Sequence, residues 1–166
     1  MNWYLVHTKP RQEKTALQNL EQQGYECYLP LLRAEKIQQG FLTLSHEPLF
    51  PRYLFIRLDT NQSAKSWGPI RFTRGVNKLV SFGNEPAKIN PQLVDFIKTQ
   101  EATSTDVRSI FRMGEKVTIN RGPFSGIEAI YQMKDGESRV IVLIEFLSKP
   151  VELRIAALQL SKTRNA

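Results

Sequence analysis

EPLFPRYLFIRL, residues 47–58, decides how the rest of the chain is read. Two prolines, two phenylalanines and a tyrosine surround a short apolar run whose character alternates from Tyr53 onward. A strand turns successive side chains to opposite faces, so Leu54, Ile56 and Leu58 share one face and Tyr53, Phe55 and Arg57 the other. The aliphatic face belongs to a core. The aromatic face needs a cover, supplied by this domain, by another part of the chain or by a partner.

Upstream, Trp3 to Thr8 is an aromatic and β-branched run that predicts a strand, broken by Lys9, Pro10 and Arg11. Arg11 to Gln23 holds good helix formers with Ala16, Leu17 and Leu20 at helical spacing, and Gly24 stands where a helix would end. Tyr25 to Leu29 alternates again and stops at Pro30, and residues 31–46 predict an arm folded back around Gly40.

Downstream, residues 59–75 are polar, turn-rich and basic, with one short helical turn expected around Ala64 to Trp67. Val76 to Phe82 and Ala87 to Ile89 predict strands. Asn90-Pro91 predicts an N-cap followed by proline at the first helical position, opening a helix that runs to about Gln100. This succession predicts an α+β sandwich over residues 1–100.

Residues 101–111 lack apolar periodicity and are expected to be a linker. Residues 112–166 form a second expected domain with short β-rich runs at Lys116 to Asn120, Ile127 to Gln132, Arg139 to Phe146, Val151 to Arg154 and Ala157 to Leu160. Turn signals at Gly122-Pro123, Asp135-Gly136 and Lys149-Pro150 separate them, which favours a small five-stranded β-barrel. Val140, Leu143, Ile144 and Leu147 also make a helical stripe, so periodicity leaves a helix open there. Pro123 and Pro150 weigh against a helical tail, at ~3 kcal/mol for a proline inside a helix.

Lys and Arg number 23 against 16 Asp and Glu, a net charge of +7, and 41% of residues are hydrophobic. Residues 1–100 carry 13 of those cations and 8 of the anions, so most of the excess lies in the first domain. Polyanions are the partners such a surface attracts. A lone Cys27 permits no internal disulfide and is expected to be a small core residue. There is no signal-peptide pattern at the start and no apolar run near ~20 residues, so a cytoplasmic protein with no membrane partner is expected. His7 and His46 are the only histidines, no metal-ligand spacing or phosphate loop occurs, and the carboxylates are scattered. The chain is therefore expected to be no enzyme and to take no cofactor or metal.

GEKVTINRGPFSGIEAIY, residues 114–131, resembles a KOW motif. WYLVHTKPRQE at residues 3–13, EPLFPRYLF, and PIRFTRGVNKLVSFG at residues 69–83 resemble the amino-terminal domain of the NusG family of transcription elongation factors. Within that family, EPLFPRYLF and TRGV look most like the RfaH-type antiterminators. The resemblance implies an amino-terminal domain that binds the clamp helices of RNA polymerase, suppressing pausing and termination, and a KOW domain that recruits another factor, often a small ribosomal protein. It implies that Tyr53 and Phe55 face polymerase. It also implies that Lys9, Arg11, Gln12, Arg71, Thr73 and Arg74 contact single-stranded non-template DNA.

In the RfaH branch the tail can rest as a helical hairpin that masks the polymerase-binding face. That resemblance implies an interdomain pair of Glu47 and Arg139, with Leu143, Phe146 and Leu147 on the masking side. The chain departs from the branch at Thr15, Asn19 and Gln22, which are less basic, and at Lys65, Ser66 and Trp67, which replace a threonine-rich polymerase contact. A monomer is expected. Two other readings stay open: a general NusG-type factor, and a KOW-type RNA-binding or ribosome-associated protein.

Overall fold

The computed structural model describes residues 1–60, 66–103, 130–131 and 133–148. The chain divides into two compact units, Met1–Asp95 and Phe96–Ala166.

In the first unit, β1 (Asn2–Thr8) pairs antiparallel with β5 (Tyr53–Leu58) from Asn2 opposite Leu58 to His7 opposite Tyr53. β2 (Glu26–Tyr28) lies on the other side of β5, and β6 (Val76–Leu79) on the other side of β1, giving the order β2-β5-β1-β6. The short β9 (Lys88–Ile89) also pairs with β1. Every pairing is antiparallel, so each strand can offer one face to a core.

The alternation in β1 and β5 puts Tyr4, Val6, Leu54, Ile56 and Leu58 on one side. α1 (Glu13–Gln22) buries Ala16 and Leu20 in the same cluster. The helix ends at Gln23, and Gly24 follows with φ 88°, a conformation glycine adopts without penalty. Cys27 is partly buried against this core, and its thiol is pushed up to about 12, chiefly by burial and then by Glu21 and Glu26. The opposite side of β1 and β5 carries Trp3, Leu5 and Phe55, all buried.

β3 (Leu31–Gln38) and β4 (Phe41–Pro48) form the expected arm as a separate two-stranded sheet. Gln39 and Gly40 both have positive φ, 53° and 80°, the geometry of a tight hairpin turn. Cross-strand pairing sets Ile37 opposite Leu42 and Glu35 opposite Leu44, and these four residues are exposed.

The predicted strand at Val76 to Phe82 divides at Val80, whose N–H turns to the Leu5 carbonyl at 2.8 Å. β7 (Ser81–Phe82) and β8 (Glu85–Pro86) then make a small hairpin. α2 (Pro91–Thr103) begins as expected, with the Gln92 N–H donating to Asn90 Oδ1 at 2.9 Å. It continues past Gln100 through Thr103, so residues 101–103, expected in a linker, are helical.

In the second unit, α3 (Gly136–Ser148) corrects the strand expected over Arg139 to Phe146. Asp135-Gly136 looks like a hairpin turn in sequence, yet Asp135 is the helix cap. Its Oδ1 accepts from the Glu137 N–H at 3.1 Å and its Oδ2 from the Ser138 hydroxyl at 3.0 Å, and these bonds hold its carboxyl below the usual range. Arg139, Leu143 and Leu147 recur every four residues and are buried, which is a helical face. The other four expected barrel strands lie wholly or mostly outside the described residues.

Candidate functional site

The turn that feeds β5 is held from two directions. The Tyr53 N–H donates to the Phe50 carbonyl at 3.0 Å, closing a turn with Pro51 second and Arg52 third. Arg52 has φ 70°, the left-handed value that a type II turn demands at its third residue and that glycine or asparagine usually supplies. The Arg52 N–H donates to Glu13 Oε1 at 2.9 Å, its carbonyl accepts from the Thr8 N–H at 2.8 Å, and its Nε donates to the Thr8 carbonyl at 3.2 Å. The buried Glu13 carboxylate thus holds the turn from the first turn of α1.

Beyond the turn, the aromatic face of β5 meets a cover that this domain supplies at least in part. Phe55 is 0% exposed, stacked on Tyr28 at 6.1 Å and edge-on to Phe50 at 6.3 Å. The LFP segment supplies part of that packing, since Leu49 and Phe50 are both buried. Tyr53 is half-buried, its ring 4.9 Å from that of His7. His7 Nδ1 lies 2.7 Å from the amide nitrogen of Asn77 and accepts from it. Burial, then Arg52 and Lys78, lower the pKa of His7, all favouring the neutral ring. Arg57 projects outward to Glu26 at 3.2 Å.

The basic residues come from two segments that touch through backbone. The Lys9 N–H donates to the Gly75 carbonyl at 2.8 Å. Gly75, with φ 90°, lies so near α1 that a Cβ there would be 2.7 Å from the Ala16 nitrogen and 3.1 Å from the Gln12 carbonyl. This brings the turn carrying Lys9, Arg11 and Gln12 against the segment carrying Thr73 and Arg74. Lys9, Arg11, Arg71 and Arg74 are exposed and Gln12 is half-buried. Thr73 is buried; its hydroxyl donates to the Pro69 carbonyl at 2.9 Å and accepts from Gln23 Nε2 at 2.8 Å. Thr73 therefore fastens the basic segment to the end of α1.

The helical turn expected near Ala64 to Trp67 lies partly on residues outside the description; a 3-10 helix follows at Gly68–Phe72. Trp67 packs its ring edge-on to Tyr4 at 4.9 Å and donates its N–H to the Asp59 carbonyl at 3.0 Å, so it anchors this segment to the core.

Of the residues expected between domains, Glu47 is half-buried on β4 in the first unit. In the second unit Arg139, Leu143 and Leu147 are buried and Phe146 is half-buried on α3, and Arg139 Nη1 donates to the Met133 carbonyl at 2.7 Å. Sequence reasoning missed Glu13, Arg52 and Phe72. Pro51 was the available signal for the Arg52 turn, concealed because the third turn residue is not glycine.

A family profile described as "Transcription termination factor nusG" matches residues 1–98. The transcription termination/antitermination protein NusG of Thermus thermophilus is 28% identical over 92% of this chain and 95% of its own length. The Streptomyces galbus protein of the same description is 25% identical over 95% of this chain and 59% of its own length. A chain from the structure titled "Domain interaction in Thermotoga maritima NusG" superposes with a TM-score of 0.46, at 21% identity over 74% of both chains. The match over residues 1–98, more than half of the sequence, makes this chain a member of the NusG family.

Proposed function

We propose that this chain is a transcription elongation and antitermination factor that docks on RNA polymerase with the Tyr53 and Phe55 end of β5. The same unit contacts single-stranded non-template DNA with the group formed by Lys9, Arg11, Gln12, Arg71, Thr73 and Arg74. The observation that carries this reading is the Lys9 to Gly75 hydrogen bond of 2.8 Å, which joins the two basic segments through their backbones. Exposed Lys and Arg side chains suit phosphate contacts, and aromatic side chains are frequent anchors at protein interfaces. Thr73 serves this surface by holding the segment in place. Docking through Phe55 requires its buried ring to be uncovered, whereas Tyr53 is already partly accessible.

Pull-down of core RNA polymerase by wild type and by Tyr53→Ala/Phe55→Ala tests the docking surface, with thermal unfolding as the check on folding. A folded double variant that retains polymerase as well as wild type would falsify the assignment. A general elongation factor is the second reading, and the matched relatives are compatible with it. Non-template oligonucleotides separate the two: a sequence preference supports the operon-specific factor, and salt-sensitive binding with no preference supports the general one.

In this proposal the KOW segment recruits a small ribosomal protein, and of the two forms expected for the tail, barrel and masking helical hairpin, α3 (Gly136–Ser148) supports the second. The RfaH-type resemblance assigns Glu47 and Arg139 to the pair that stabilises that state. Circular dichroism of the full chain checks it, since reversing the charge at Glu47 should shift the tail from helix toward strand.

A further inference from the structure

We propose that Phe72 is a stacking platform for one base of single-stranded DNA, an inference that rests on the DNA contact proposed above. Phe72 is 76% exposed although it ends the 3-10 helix Gly68–Phe72. Ile70, two residues before it, and Thr73, directly after it, are buried, at 1% and 6% exposed. The segment is pinned through the Thr73 hydroxyl, so the outward ring stands on a fixed backbone. The Arg71 guanidinium carbon lies 4.6 Å from the ring centroid, a cation–π pair.

The surroundings select the occupant. The core does not use this ring; Arg71 lies on it, Arg74 is exposed two residues further on, and Lys9 is joined through its backbone to Gly75 of the same segment. A polyanion drawn there by its phosphates would need one flat apolar group to meet an exposed phenyl ring, and an unpaired nucleobase has both parts. Bases in a duplex already stack on each other, so the strand must be single. Stacking tolerates any base, so Phe72 contributes affinity and register, with little sequence preference of its own.

The test uses the full chain and a single-stranded DNA of about 12 nucleotides with a 2-aminopurine near its centre. Wild type should bind it in a salt-sensitive manner and quench the fluorescent base. Phe72→Ala should weaken binding by about five- to a hundred-fold and abolish the quenching, while Phe72→Trp should keep both. Lys9→Ala/Arg74→Ala should weaken binding through the phosphates and leave quenching intact at saturation. If Phe72→Ala binds and quenches like wild type while Lys9→Ala/Arg74→Ala weakens binding, the platform is wrong and the DNA contact survives. If wild type does not bind the single strand, or binds RNA or duplex of the same sequence more tightly, both fall.

Discussion

β5 and the 3-10 segment Gly68–Phe72 both carry an aromatic ring beside an arginine, but Phe55 is wholly buried against Tyr28 and Phe50 while Phe72 stands in solvent on Arg71. β5 is fixed by sheet pairing on both sides, and its aromatic ring is part of the packing. The 3-10 segment is fixed by what lies next to the ring: Trp67, Ile70, Thr73 and Gly75 hold the backbone, leaving Arg71, Phe72 and Arg74 outside. Removing the first ring should therefore damage the fold, and removing the second should leave it intact.

The largest effect should come from the buried ring. Phe55→Ala is expected to cost on the order of 3–5 kcal/mol in denaturant unfolding, whereas Phe72→Ala should stay within about 0.5 kcal/mol of wild type. Equal losses at the two positions would break the contrast. Next comes Gly75→Ala, which adds a Cβ only 2.7 Å from a backbone nitrogen of α1 at a φ of 90°. It should cost on the order of 3 kcal/mol and weaken DNA binding as well, because the loop must leave α1. A variant as stable as wild type would show that the loop is not held by that contact.

Glu13→Ala should be milder, about 1–3 kcal/mol, because it leaves the Arg52 N–H without its carboxylate acceptor. Unfolding midpoints of Glu13→Ala and Glu13→Gln sharpen the point, since glutamine keeps an acceptor oxygen and should recover part of the loss. The smallest effect is the pH response of His7. Its lowered pKa means that the unfolded chain, with the ordinary value of 6.5, binds the proton more readily. The stability contributed by neutral His7 is present above pH 6.5 and is lost as pH falls below it. Melting temperatures of wild type between about pH 7 and pH 5 should fall more steeply than those of His7→Gln.

Much of the first unit was legible because local signals and tertiary packing agree. Trp3 to Thr8, Tyr53 to Leu58, the Gly40 hairpin and the Asn90-Pro91 cap all formed where pattern and turn chemistry placed them. The direction of Phe55 was legible but its burial was not, because alternation shows which face a ring takes and not what lies over it. Asp135 misled for a different reason: aspartate before glycine serves a hairpin turn and a helix start equally well, and α3 is decided by residues further along. The basic group was legible in residue type. Its assembly was not, since it depends on a backbone bond between Lys9 and Gly75, far apart in sequence.

Cys27 has a practical consequence. The thiolate is the form that alkylating reagents attack, and with its pKa at about 12 this one is almost wholly protonated near neutrality. The folded chain should thus react slowly with maleimide dyes, which a labelling time course checks. A single exposed substitution such as Ser81→Cys could be labelled without first removing Cys27, so fluorescence could follow β7 in a folded, otherwise unaltered chain.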